Sequence, residues 1–132
     1  MIVNAQINNY KILKQIGSGA FGLVYLCQDL NDPSKQYACK AILKQQSSTK
    51  NVEDPNIKKS NILQTQLYHY FKSLSYKIFL PSLNLDSLMN MPLDQLQSEN
   101  SYYREIILHL RSNHLPNVVK ISEILESSIA VF

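Results

Sequence analysis

Between Tyr10 and Ile16 apolar side chains at Tyr10, Ile12 and Ile16 stand among lysines and a glutamine. That period of two predicts a strand with one buried face. Leu23–Asp29 is rich in β-formers and is expected to be its hairpin partner. Asn31-Asp32-Pro33-Ser34 is a turn by composition, and Gln36–Leu43 reads as a third strand. The period then changes. Ile62, Leu63, Leu67, Phe71 and Leu74 recur at helical spacing, which predicts an amphipathic helix over Asn61–Ser73. A second stripe, Tyr103, Ile106, Ile107 and Leu110, predicts a helix over Ser101–Ser112, ended by Asn113-His114-Leu115-Pro116-Asn117. Val118–Leu125 and Ser128–Phe132 read as two short strands around a Glu126-Ser127 turn. Five strand-like segments with the helix of Ser101–Ser112 between the third and fourth predict an α+β fold. Its expected form is a twisted antiparallel sheet of about five strands with one principal helix against it.

Residues 45–100 interrupt this order as an insert between the third strand and that helix. Its first part, 45–60, is polar and aperiodic, so it is expected to be a mobile loop and the first place a protease cuts. Lys77–Leu80 and 81–86 read as a short extended piece, with Asp86 and Asp94 as local caps. His69 lies among tyrosines in the insert helix with no second ligand at i+4, which favours a surface or packed role over a metal ligand.

Glycine adds chemistry to this frame. It occurs three times, at Gly17, Gly19 and Gly22, as one G-x-G-x-x-G inside Ile16-Gly17-Ser18-Gly19-Ala20-Phe21-Gly22-Leu23-Val24-Tyr25. A residue without Cβ permits positive φ and lets backbone N–H groups approach a bulky anion, usually a phosphate. A dinucleotide-binding fold would open a helix within the glycines and place an acid about 20 residues on. Here β-formers follow Gly22, and Cys39–Gln45 carries Lys40 and no acid. The charge agrees. Residues 1–44 hold five lysines against Asp29 and Asp32, whereas 45–100 and 101–132 are each balanced, so the net +3 sits with the glycine loop. A solvated lysine-bearing surface accounts equally well for every lysine except Lys40.

A glycine loop between two strands, with Val24 two residues beyond it and Lys40 on the next strand in Tyr37-Ala38-Cys39-Lys40, resembles the small lobe of a eukaryotic protein kinase. Gln64–Phe71, Pro81–Ser87, Tyr103–Ile106 and Leu125–Ala130 resemble fungal serine/threonine kinases of the yeast type, so the resemblance spans essentially the whole chain. It implies a partial kinase domain over residues 1–132, with the insert longer than the family's usual connection. It implies ATP as ligand, with Ile16, Gly17, Ser18, Gly19, Ala20, Phe21, Gly22, Val24, Ala38 and Lys40 around it. Lys40 would contact the α and β phosphates, and Glu105 of Tyr103-Arg104-Glu105-Ile106-Ile107 would pair with Lys40. Ile16, Val24 and Ala38 would cover the adenine from one sheet face, Phe21 would shield the phosphates, and Cys39 would face the interior. His114-Leu115-Pro116-Asn117 is one residue longer than the family's His-Pro-Asn.

No catalytic-loop aspartate motif and no Asp-Phe-Gly occurs in the chain, so the proton acceptor and the magnesium ligands have no candidates here. The expected parent is an ATP- and magnesium-dependent serine/threonine kinase acting on protein hydroxyls, with this stretch inactive alone. The alternative is a shortened kinase-like module that binds nucleotide weakly or regulates a full-length kinase. Cys27 and Cys39 are too few for a disulfide scaffold or a metal site and read as reduced packing residues. No basic run points to nucleic acid, and no apolar run is long enough for a membrane span. Met1–Tyr10 has no signal-peptide pattern, and the expected location is intracellular, cytoplasmic or nuclear.

Overall fold

The computed structural model of the chain describes residues 2–18, 22–44, 59–95, 102–116 and 119–132. Among these, six strands form one sheet. They are β1 (Gln6–Ile7), β2 (Tyr10–Ser18), β3 (Gly22–Asp29), β4 (Gln36–Leu43), β5 (Lys77–Ile78) and β6 (Ala130–Val131). The order across the sheet is β5-β1-β2-β3-β4-β6. The helices are α1 (Lys59–Ser73), α2 (Leu85–Met89) and α3 (Tyr102–Arg111), with a 3-10 turn at Leu93–Gln95.

The three long strands lie where the alternation places them, and their register explains the burial. Leu23, Tyr25 and Cys27 face the core, opposite Ala41, Cys39 and Tyr37. Val24, Leu26 and Gln28, opposite Lys40, Ala38 and Gln36, belong to the other face. The turn before β4 is closed by Asp32, whose carboxylate accepts from the Ser34 hydroxyl at 2.6 Å.

Each sheet face carries its own helix. Leu67 and Phe71 of α1 are fully buried with Leu23, Tyr25, Cys27 and Ala41. Ile106, Ile107 and Leu110 of α3 pack with Ile42 and Val131. Burying a side chain of this size is worth about 1.5–3 kcal/mol, so two such stripes anchor both helices. The α1 helix begins at Lys59, so Lys59 and Ser60 belong to it rather than to the loop expected over 45–60, and 45–58 lie outside the described residues. Leu74, expected in its stripe, lies past the helix end and is 45% exposed. His69 is exposed and meets the Tyr68 ring edge-on.

The sheet differs from the expected one in three ways. It has six strands, because β1 and the insert strand β5 extend it. It is mixed, because β1 and β5 are parallel. Residues 119–124 form no strand, and Leu125 and Glu126 make isolated bridges to Ser82 and Val131. A β-forming sequence becomes a strand only where a neighbour offers its backbone. Here the Asn113 side chain donates to Ile121 O and accepts from Ile121 N, at 3.1 and 3.0 Å, while Ile124 O accepts from Leu83 N at 2.9 Å. The insert also differs in detail. Asn84, not Asp86, caps α2 by accepting from Ser87 N at 3.0 Å, and Asp86 and Asp94 lie in the first turns that follow.

Candidate functional site

Lys40 and Glu105 come from distant parts of the chain and meet. The Lys40 Nζ donates to Glu105 Oε1 at 2.6 Å. Strand β4 aims Lys40 at the α3 side of the sheet, because Cys39 and Ala41 on either side of it turn to the core. Helix α3 carries Glu105 in its first turn, where a carboxylate also suits the positive end of the helix. The pair stays open to solvent, with the lysine side chain 42% and the glutamate 55% exposed. An ion pair this exposed is worth about 0.2–1 kcal/mol, too little to be a reason for the fold.

Val24 stands directly opposite Lys40 in the β3–β4 register, and Ala38 lies two residues before Lys40 on the same face. All three line a cavity of about 530 Å³, together with Glu105, Ile106 and His109 of α3. Ile16 does not line it. Bulges between Ile12 and Lys14 and between Gln15 and Gly17 break the alternation of β2. Ile16 is therefore the unpaired residue of the second bulge, half-exposed at the rim. Simple alternation, which would put Ile16, Val24 and Ala38 on one face, fails there for that reason.

Gly17 and Ser18 end β2, paired with Val24 and Leu23. Gly22 opens β3 opposite Ile42. Gly19, Ala20 and Phe21 lie outside the described residues. Neither described glycine has positive φ, so the conformational argument does not apply to them. At Gly22 the close approach is to the protein itself: a Cβ there would lie 2.2 Å from Ala41 O.

The sequence reading missed a second polar link between β4 and α3. Lys44, just past β4, reaches Glu126 Oε1 at 2.8 Å, and the Tyr103 hydroxyl of α3 donates to the same oxygen. No local period marks this trio, and Lys44 registered only as charge. Burial raises the Glu126 pKa, but the bonds from Lys44 and Tyr103 outweigh it and hold the carboxyl below its ordinary 4.5. A depressed carboxylate stabilises the fold above its ordinary value and loses that contribution as pH falls through the lower, folded value. Thermal unfolding from about pH 6 down to about pH 3 is expected to show the native chain losing its advantage over Glu126→Gln. A constant difference between the two would contradict the pairing.

The chain aligns over its whole length with two proteins of Saccharomyces cerevisiae. It is 43% identical over 138 residues to serine/threonine-protein kinase SKS1 and 38% identical over 135 residues to serine/threonine-protein kinase VHS1. Both relatives are serine/threonine protein kinases, and the chain is homologous to part of each. It spans 27% and 29% of those two kinases. Calcium-dependent protein kinase 9 of Arabidopsis thaliana is 40% identical over 55 residues, 42% of this chain and 10% of the plant protein. No protein-family model and no solved structure matches the chain. The six-stranded mixed sheet with few helices is consistent with a kinase small lobe. In such a lobe the Lys40–Glu105 pair bridges sheet and helix.

Proposed function

We propose that the chain is the ATP-binding half of a serine/threonine protein kinase, with Lys40 as its phosphate contact. The observation that carries this is the Lys40–Glu105 pair at 2.6 Å, opened to solvent beside an apolar surface of Val24 and Ala38. A lysine held in one rotamer by a carboxylate presents a fixed positive charge to a polyphosphate. Val24 and Ala38 offer an adenine an apolar wall, and Gly17 and Ser18 bring backbone to its edge. Ile16, Gly19, Ala20, Phe21 and Gly22 complete the proposed loop.

Magnesium does not fit the described residues, which hold no cluster of three or more His, Cys, Asp or Glu side chains. Protein substrates belong to the parent kinase, and the chain by itself is expected to transfer no phosphate. A regulatory module that holds nucleotide weakly is the second reading, favoured by the openness of the cavity on one side of the sheet.

An acyl-phosphate derivative of ATP tests the assignment, because a lysine amine beside the phosphates attacks its carbonyl, forms an amide and releases ATP. Covalent capture accumulates even at a weak site. Peptide mass spectrometry is expected to find the label first at Lys40 and to show that excess ATP slows it. Labelling spread over the exposed lysines and indifferent to ATP would overturn the proposal.

A further inference from the structure

We infer that Lys44, Glu126 and Tyr103 form a second clamp that sets the position of α3, and with it the Lys40–Glu105 pair. The inference rests on reading Lys40 as the phosphate contact and names the positioning residues behind it. Lys40 lies within β4 and Lys44 just past its end, four residues on, while Tyr103 and Glu105 share the first turn of α3. Two polar links therefore run in parallel from β4 to one helix turn: Lys40 to Glu105 directly, and Lys44 to Tyr103 through Glu126.

The two links differ in burial, and that difference assigns the roles. Lys44 and Glu126 are 19% and 21% exposed, against 42% and 55% for Lys40 and Glu105. Water screens the outer pair and leaves it free to exchange partners, whereas the inner pair is held more firmly. A switchable contact thus hangs on an anchored turn.

The anchor is itself built by the backbone. Glu126 precedes a tight turn in which the buried Ser127 Oγ accepts from Ile129 N and Ala130 N, at 3.2 and 2.9 Å. Lys44 N donates to Ile129 O at 2.9 Å, so the same turn holds both ends of the ion pair. Strand β6 follows it, pairing Ala130 and Val131 with Leu43 and Ile42. The carboxylate is therefore presented from the sheet, and the helix comes to it.

Reductive methylation with carbon-13 formaldehyde keeps each lysine charged and gives it an NMR signal. The Lys40 signal is identified by its loss in Lys40→Arg. Tyr103→Phe, which removes one hydroxyl, and Glu126→Gln, which keeps the shape, are each expected to move the Lys40 signal toward those of unpaired lysines. Amides of α3 are expected to exchange about tenfold faster, with those of β3 and β4 unchanged. Lys44→Arg, which keeps the charge, is expected to leave the Lys40 signal in place. An unmoved Lys40 signal in Tyr103→Phe and Glu126→Gln would overturn the inference. So would an equal loss of protection in β3 and β4, since the trio would then hold the whole lobe rather than α3. The readout needs no nucleotide, so it is separable from the ATP-protection experiment at Lys40. Loss of that protection would remove the functional reading and leave the clamp standing.

Discussion

Lys40→Met in a full-length kinase built on this chain is expected to lower phosphoryl transfer by at least about a hundredfold and to leave the lobe folded. The two effects separate because of where the lysine sits. Its ion pair with Glu105 is open to solvent on both sides, so its loss costs about 1 kcal/mol of stability or less. Methionine retains much of the aliphatic stem against Val24, so packing changes little. On the proposed reading, what would disappear is a fixed charge beside the phosphates, and preorganised charge is the term that dominates such reactions. Radiolabel transfer and urea unfolding, measured on the same preparation, check both halves. Activity retained in a folded variant would remove Lys40 from the reaction. Activity and stability lost together would make its role structural.

Gly22→Ala is expected to destabilise the chain by roughly 2–4 kcal/mol, before any effect on nucleotide. The added Cβ would stand 2.2 Å from Ala41 O and 3.2 Å from Ala41 C, which are backbone atoms in the middle of the sheet. No side-chain rotation relieves that contact, so β3 and β4 must move apart where Leu23 and Ala41 are fully buried. Gly17→Ala is the control. Its Cβ would meet Val24 Cβ at 3.7 Å, an ordinary contact, and φ is not positive there. Chemical denaturation should therefore separate the two glycines by a few kcal/mol, on the order expected for overpacking against none. Equal midpoints would show that the sheet yields at Gly22 at little cost.

These two glycines show how far a motif can be read. The spacing of Gly17, Gly19 and Gly22 was legible as a loop for an anion, and that reading treats the three alike. The structure gives Gly22 a second duty that has no signature along the chain, because Ala41 becomes its neighbour only through the β3–β4 register. The same limit explains Ile16. Alternation is a local rule, and the bulges in β2 that interrupt it depend on how β3 pairs with it.

The β-formers of Val118–Leu125 predict a strand, yet 119–124 lie outside every strand of the sheet, Leu125 makes only an isolated bridge and Val118 lies outside the described residues. Strand formation needs a partner along its length, and here the bonds are scattered: Asn113 brackets Ile121, and Ile124 O accepts from Leu83 N. Conversely, β1 and β5 are two residues each, too short for any period to mark; β1 pairs with β2 on one side and β5 on the other, and β5 is a strand because β1 offers it an edge.

The sequence by itself determined the three long strands, the helices α1 and α3 with their buried Leu67, Phe71, Ile106, Ile107 and Leu110, and the placement of Lys40 on the third of those strands. Each of these is written in neighbours a few residues apart, where side-chain period and backbone freedom act directly. Tertiary structure alone decided that β1 and β5 run parallel, that Gly22 touches Ala41, and that Lys44 finds Glu126 and Tyr103. Those outcomes depend on which distant groups the packing of α1 and α3 on opposite sheet faces brings within reach. An ion pair forms with whatever carboxylate arrives, and only the folded chain selects it.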